Sequence, residues 1–164
     1  MNPIETPAAK ETLMNLLRRT AAAVASVVAL SACAGSPTLA DEKARMERNR
    51  QVWIAQGIDD YRMTVRLQGG WFSGSVVVEV RDGVPVSRHT PANEPQQVPP
   101  EAFAEYDTVE ELFAILERAF ENDADDVDAT YDPTLGLPLD VFIDPMKNAI
   151  DEEHGFVVQG FTVL

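Results

Sequence analysis

The chain has few of the residues that make cross-links, metal sites and membrane spans. Its 164 residues include one cysteine and two histidines, and neither histidine has a metal-ligand companion at short spacing, which argues against zinc. No apolar run approaches the ~20 residues of a membrane-spanning helix. Lys and Arg number 13 against 27 Asp and Glu, for a net charge of −14. Such a polyanion repels phosphate backbones, so we exclude nucleic acid as a partner.

The N-terminal segment has the composition of an export signal. Basic residues precede an 11-residue apolar run, Thr20–Leu30, which is too short to span a bilayer as a stable helix. Translation is expected to start at Met1 or at Met14, and Met14 would give the more usual signal length. Because such segments are removed from mature proteins, residues 1–32 are set aside in the prediction of the fold.

The apolar run ends in Leu30-Ser31-Ala32-Cys33, which resembles the lipobox of bacterial lipoproteins. The resemblance implies cleavage between Ala32 and Cys33 and lipidation of Cys33, which would place the protein on a membrane. Two or three acyl chains, at about 0.8 kcal/mol per buried CH₂, make a firm anchor. The alternative is an ordinary cleaved signal peptide with a coincidental cysteine. Ala34, by resemblance to known sorting signals, favours the outer membrane facing the periplasm in a Gram-negative cell.

The sequence therefore divides into a lipoprotein signal peptide (1–32), a lipidated tether (33–40) and one globular domain (41–164). Removing residues 1–32 leaves 132 of the 164 residues, which is enough for a domain with a sizeable core. Since lipid would occupy the single thiol, packing alone must hold the domain together.

Hydrophobic spacing in the domain predicts an α+β fold. A helix from about Asp41 to Gln56 is followed by three strands; the capping box Thr108–Glu111 then begins an amphipathic helix, which three more strands follow. We interpret this order as two α-β-β-β halves that share one antiparallel sheet of about six strands, with the helices on one face.

Side-chain alternation also predicts strand register. At Asp82-Gly83 a two-residue turn competes with a three-residue loop, and the loop is preferred because it keeps Val84 and Val86 on the buried face. In the C-terminal half, apolar alternation pairs Thr130 with Asp140 and Asp126 with Asp144 on the outer face.

The C-terminal half contains Tyr131-Asp132-Pro133-x-x-Gly136-x-Pro138, then Asp140, Asp144 and Asp151-Glu152-Glu153. With the Trp53…Tyr61 pair, Asp82-Gly83 and Thr108–Phe113, this pattern is similar to a bacterial family catalogued as domain of unknown function 6174. The resemblance covers Trp53 to about Val163 and implies a secreted protein or lipoprotein without an assigned activity. Members often carry a close cysteine pair after the first strand. Gly70-Trp71-Phe72-Ser73 stands there instead, so no redox role is carried over.

Two sets of residues are candidates for function. Trp71 and Phe72 lie at a predicted hairpin tip, where adjacent aromatics point to opposite faces. At least one is expected to be exposed as a contact for a partner protein, and simple edge packing is the alternative.

The second set is acidic. Like charges directly opposite one another are destabilising, so the predicted Asp126–Asp144 pair requires relief by a nearby basic side chain or by Ca²⁺. The candidate basic side chains are Arg62, Arg66, Arg81 and Lys147; the candidate metal ligands are Asp126, Asp140, Asp144 and Asp151. No EF-hand spacing is present, and solvated or Arg-paired carboxylates are the favoured alternative.

No catalytic constellation stands out in the sequence. The chain is therefore predicted to be a non-enzymatic, lipid-anchored envelope protein that binds an envelope partner; a narrower form is a small periplasmic inhibitor of an enzyme, whose basic surface the acidic domain would suit. The rival is a Ca²⁺-dependent or carboxylate-based activity around Asp140, Asp144 and Asp151.

Lipidation of Cys33 can be tested directly. We expect radiolabelled palmitate to appear on the wild-type protein and on the control variant Ser36→Ala, but not on Cys33→Ser, which should leave the membrane fraction because its acyl anchor is missing. Membrane partition of Cys33→Ser equal to that of Ser36→Ala would contradict the lipoprotein assignment.

Overall fold

The computed structural model describes residues 37–69, 74–92, 99–147 and 152–164. The predicted signal cleavage site at Ala32 and Cys33 lies outside these ranges. The elements in chain order are α1 (Leu39–Gln56), β1 (Tyr61–Gly69), β2 (Gly74–Arg81), β3 (Val84–His89), a 3₁₀ helix (Pro100–Tyr106), α2 (Val109–Glu121), β4 (Asp126–Tyr131), β5 (Pro138–Asp144) and β6 (His154–Val163). No helix in the described part of the chain has the length and apolar character needed to cross a bilayer.

All six strands of the described residues form one antiparallel sheet. Their order is β3-β2-β1-β6-β5-β4, so each half of the chain contributes three neighbouring strands. The halves are joined by β1 and β6, which pair from Tyr61 with Val163 to Gly69 with His154. The predicted α+β fold of two α-β-β-β halves is confirmed.

Local signals in the sequence set the ends of both helices. Thr38 and Asp41 form a capping box at the start of α1, so the helix begins two residues before the predicted domain boundary. Gly57, with φ +60°, ends it in the left-handed conformation that glycine adopts easily. Thr108 and Glu111 cap α2 in the predicted way.

The core lies between the helices and one face of the sheet. Trp53 of α1 is 2% exposed, and its ring meets the rings of Tyr61 on β1 and Phe161 on β6 edge-on, with centroids 5.7 Å apart in both cases. The Tyr61 hydroxyl accepts a hydrogen bond from the Val109 N–H at the start of α2, at 3.0 Å. The predicted apolar stripe of α2 is buried throughout: Val109, Leu112, Phe113, Leu116 and Phe120.

The register predicted for the β2–β3 hairpin is wrong. Asp82 and Gly83 form a two-residue turn with φ of +50° and +72°, and Arg81 pairs with Val84. A bulge between Glu79 and Val80 then shifts the register, and Val84 and Val86 remain 59% and 57% exposed.

An ion pair between Arg88 and a buried carboxylate accounts for this register. The bulge places Arg88 opposite Val78, on the helix-covered face, where its guanidinium pairs with the carboxylate of Asp107. Asp107 is 1% exposed, and burial of an unpaired carboxylate is costly. The alternation of valines in β3 contains no signal for this pairing, because Asp107 lies 19 residues further along the chain.

The β4–β5 register is confirmed. Asp126 pairs with Asp144 and Thr130 with Asp140, as apolar alternation predicts. In the connecting loop the Asp132 carboxylate accepts hydrogen bonds from the Thr134 and Leu135 N–H groups, both at 2.8 Å. The Tyr-Asp-Pro motif thus forms the turn between β4 and β5.

Gly136 in this loop contacts α1 directly. Its φ is +79°, and a Cβ atom there would lie 2.4 Å from the Asn49 carbonyl oxygen and 2.9 Å from the Val52 Cβ. The missing side chain therefore lets the loop pack against the helix beside Trp53.

We expect Gly136→Ala to lower the free energy of unfolding by about 3 kcal/mol or more, since it adds a backbone clash to the cost of a positive φ. Gly57→Ala is a matched control, because Gly57 has φ +60° and nothing within 4 Å of the added Cβ; its cost should be about 1 kcal/mol. Urea unfolding of both variants measures the difference. Equal losses would show that close packing of the loop on α1 contributes nothing.

Candidate functional site: the outer face of the sheet

The outer face is the side of the sheet opposite the helices, and no described helix covers it. On this face the side chains of paired residues form rows that cross the sheet from strand to strand. One row runs from Arg66 on β1 through Val157 on β6 and Asp140 on β5 to Thr130 on β4. The face is therefore continuous across both halves of the domain.

The β1–β2 part of the outer face carries arginines. Glu79 accepts hydrogen bonds from Arg62 at 2.8 Å and from Arg81 at 3.0 Å, and these contacts hold the pKa of its carboxyl below the usual value. Arg81 also lies 3.5 Å from Asp60. Arg66 makes no ion pair with the described residues. This part of the face is therefore basic but largely paired internally.

The β4–β5 part is acidic. Asp126 and Asp144 stand opposite each other, and no basic side chain of the described residues forms a salt bridge with either. The Asp144 carboxylate accepts a hydrogen bond from the Met146 N–H at 3.0 Å, while Lys147 lies 3.9 Å from Asp125 instead. The sequence predicts that a basic side chain relieves the repulsion between Asp126 and Asp144. In the described residues no salt bridge to either aspartate is made by any of the four candidates, Arg62, Arg66, Arg81 and Lys147.

The predicted metal ligands are spread along the strands. Asp140 and Asp144 lie four residues apart on β5, which corresponds to about 13 Å. Asp151 lies outside the described residues. Within the described ranges, no group of three or more His, Cys, Asp or Glu side chains is placed to hold a metal ion.

A cavity of about 280 Å³ opens on the outer face where β1, β6 and β5 meet. Gly155 lies opposite both Gln68 and Phe142, and it leaves a depression between their side chains. A Cβ atom on Gly155 would lie 1.9 Å from the Val141 carbonyl oxygen, so only glycine fits. Glu153 and His154 complete the rim together with Asp140. We call this depression the Gly155 cavity.

Two side chains define the walls of the Gly155 cavity. Phe142 is 45% exposed, which is high for a phenylalanine on a sheet. Gln68 Nε2 donates a hydrogen bond to Asp140 Oδ1 at 3.1 Å, across β6. The sequence predicts Asp140 as a metal ligand and gives one signal for Phe142, an aromatic residue on the polar side of a strand, which was not among the predicted site residues.

A second cavity of about 260 Å³ lies on the other side of the sheet, between α2, the 3₁₀ helix and the ends of β5 and β6. Its rim includes Arg118, which pairs with Glu105 at 3.1 Å, and Tyr106, whose pKa is raised by burial. His154 borders both cavities. No described carboxylate or hydroxyl hydrogen-bonds to its ring, which lies 3.2 Å from the Glu152 carbonyl oxygen.

The buried carboxylate of Glu42 lies between α1 and β4, and no sequence pattern predicts it. The Arg45 guanidinium lies 5.6 Å above the ring of Tyr131 and 3.3 Å from Glu42. Burial raises the pKa of both Glu42 and Tyr131. These contacts hold α1 against β4. Because Tyr131 is the first residue of the Tyr-Asp-Pro motif, the motif has a structural role here too.

Trp71 and Phe72, the predicted partner contacts, lie outside the described residues. In sequence they follow Gly69 and Gly70 at the end of β1, and Gly69 lines the Gly155 cavity.

Comparison with known proteins gives one result. The model of a family described as "Family of unknown function (DUF6174)" matches residues 45–163. No curated protein and no solved structure matches the chain.

The separation of the acidic residues predicts that millimolar Ca²⁺ leaves the melting temperature unchanged. A cation bound to the folded state with micromolar Kd would add about 4 kcal/mol of stability at that concentration. Thermal melts in EDTA, Mg²⁺ and Ca²⁺ make the comparison. A rise specific to Ca²⁺ that is lost in Asp144→Asn would restore the metal hypothesis.

Proposed function

The chain belongs to the DUF6174 family of unknown function, and from that premise we propose that it is a non-enzymatic, lipid-anchored protein of the bacterial envelope. We propose further that it binds a basic partner protein through the outer face of its sheet. The observation that carries the binding role is this face, uncovered by any described helix and acidic over its β4–β5 part.

The anchor is supported by the sequence around Cys33. Five residues separate Cys33 from Leu39, the first residue of α1, and an extended chain of that length spans about 20 Å. Such a tether would keep the domain close to the membrane surface, within reach of other envelope proteins.

Charge supports a basic partner. The whole chain has a net charge of −14, and Asp126 and Asp144 face each other without a salt bridge to either in the described residues. Their mutual repulsion is relieved when a cationic surface approaches. A small inhibitor of a basic periplasmic enzyme is a narrower form of the same proposal.

The open face also favours binding over catalysis. In the described residues neither histidine hydrogen-bonds to a carboxylate or hydroxyl, so a general base oriented by such a partner has no support. The Asp126–Asp144 pair is where a carboxylate-based activity, the rival proposal, would have to lie.

Site-specific photo-cross-linking in intact cells tests the proposal. A benzophenone side chain at Thr130, exposed on the acidic part of the outer face, should give one discrete adduct with a protein of high isoelectric point. The same probe at Glu47, exposed on α1, should not. In Asp126→Asn/Asp144→Asn the Thr130 adduct should fall by up to about tenfold.

The double variant removes two repelling charges, so it should fold at least as stably as the wild type, and loss of the adduct would not reflect unfolding. Equal adducts from Thr130 and Glu47, or an acidic partner, would overturn the proposal. Trp71→Ala in the same assay tests whether the predicted hairpin tip contributes.

A further inference from the structure

The Gly155 cavity is suited to a single side chain. Its volume of about 280 Å³ falls just below the ~300–1,000 Å³ typical of small-molecule sites. It opens on the face that the proposed function assigns to a partner protein. Because Gly155 cannot carry a Cβ atom, the depression is a fixed feature of the backbone.

The wall residues have the chemistry of a cation site. Phe142 presents an aromatic ring that is 45% exposed, and the face of such a ring attracts Lys and Arg. Asp140 is positioned by its hydrogen bond from Gln68 to one carboxylate oxygen, and its second oxygen has no partner among the described residues. Glu153 adds a carboxylate at the rim.

Charge separates a cationic ligand from the alternatives. No Lys or Arg lines the cavity, and the only basic group on its described rim is His154, so an anion would meet Asp140 and Glu153 without a counter-charge. The described residues hold no three-ligand cluster for a bare metal ion. A neutral ligand would leave the second oxygen of Asp140 without a charged partner.

We propose that the Gly155 cavity receives a lysine or arginine side chain of the basic partner, with its cationic group between Asp140 and the face of the Phe142 ring. This assignment rests on the proposed function for the partner, and it names the partner residue that the outer face recognises.

Saturation-transfer difference NMR on the full-length lipidated protein, in non-ionic detergent, tests the assignment. The probe is Nα-acetyl-lysine methylamide, and Nα-acetyl-norleucine methylamide is its uncharged match. Saturation should reach the lysine side-chain methylenes and be weak for norleucine. Asp140→Asn should weaken lysine binding about three- to fivefold, as expected for the loss of one exposed ion pair.

Two further variants make the result specific. Phe142→Leu keeps an apolar wall but removes the ring, and it should weaken lysine binding by a similar factor. Asp126→Asn removes an equal charge from the same face outside the cavity, and it should change binding little. Thermal melts confirm that each variant is folded.

Several outcomes would overturn the assignment. These are equal signals from lysine and norleucine, equal losses in Asp140→Asn and Asp126→Asn, or a stronger signal from N-acetylglucosamine, which would indicate a glycan site. If the lysine probe gives no NMR signal while the Thr130 adduct forms, the cavity assignment is wrong and the proposed binding role is retained. If the lysine probe binds but no Thr130 adduct forms, the proposed binding role is wrong.

Discussion

One side chain, Trp53, joins α1 to the central strands of the sheet and to α2. Its ring contacts Tyr61 of β1 and Phe161 of β6, and its Nε1 donates a hydrogen bond of 2.8 Å to Glu110 of α2. Gly136 lets the β4–β5 loop approach the same turn of helix. Both helices, the central strands and the family motif therefore meet at a single residue. Burial of a tryptophan at such a junction contributes several kcal/mol, and without it α1 would lose its aromatic contacts with the central strands.

Because this junction gathers both helices on one side, the opposite side of the sheet remains open. Its charges are then decided by strand register alone, since every second residue faces outward. Arginines collect on β1 and β2, mostly paired with Glu79, whereas aspartates collect on β4 and β5, where Asp126 and Asp144 form no salt bridge in the described residues. The proposed binding role and the proposed cation site both follow from this division, with the Gly155 cavity lying at its boundary.

Much of this arrangement can be read from the sequence, and the exceptions have physical causes. Alternation and capping boxes predict the six strands and both helices, and they fix the Asp126–Asp144 and Thr130–Asp140 pairs, because these signals act between near neighbours. The predicted β2–β3 register is wrong because Arg88 forms an ion pair with Asp107. The two residues are far apart in the sequence, so the alternation within β3 gives no sign of the contact. The Gly155 cavity is missed for a similar reason: it needs Gln68, Gly155 and Phe142 from three strands in one row. The alternation within one strand does not show which residues of the neighbouring strands lie beside it.

The central position of β6 has a consequence for folding. This strand is the last of the six in chain order, yet it lies between β1 and β5 and joins the two halves. Until it is available, β1–β3 and β4–β5 are two separate hairpin assemblies with open inner edges, and such small sheets are marginally stable in water. The two halves therefore share one sheet only after β6 has paired with both β1 and β5, so the stability of each half depends on the other.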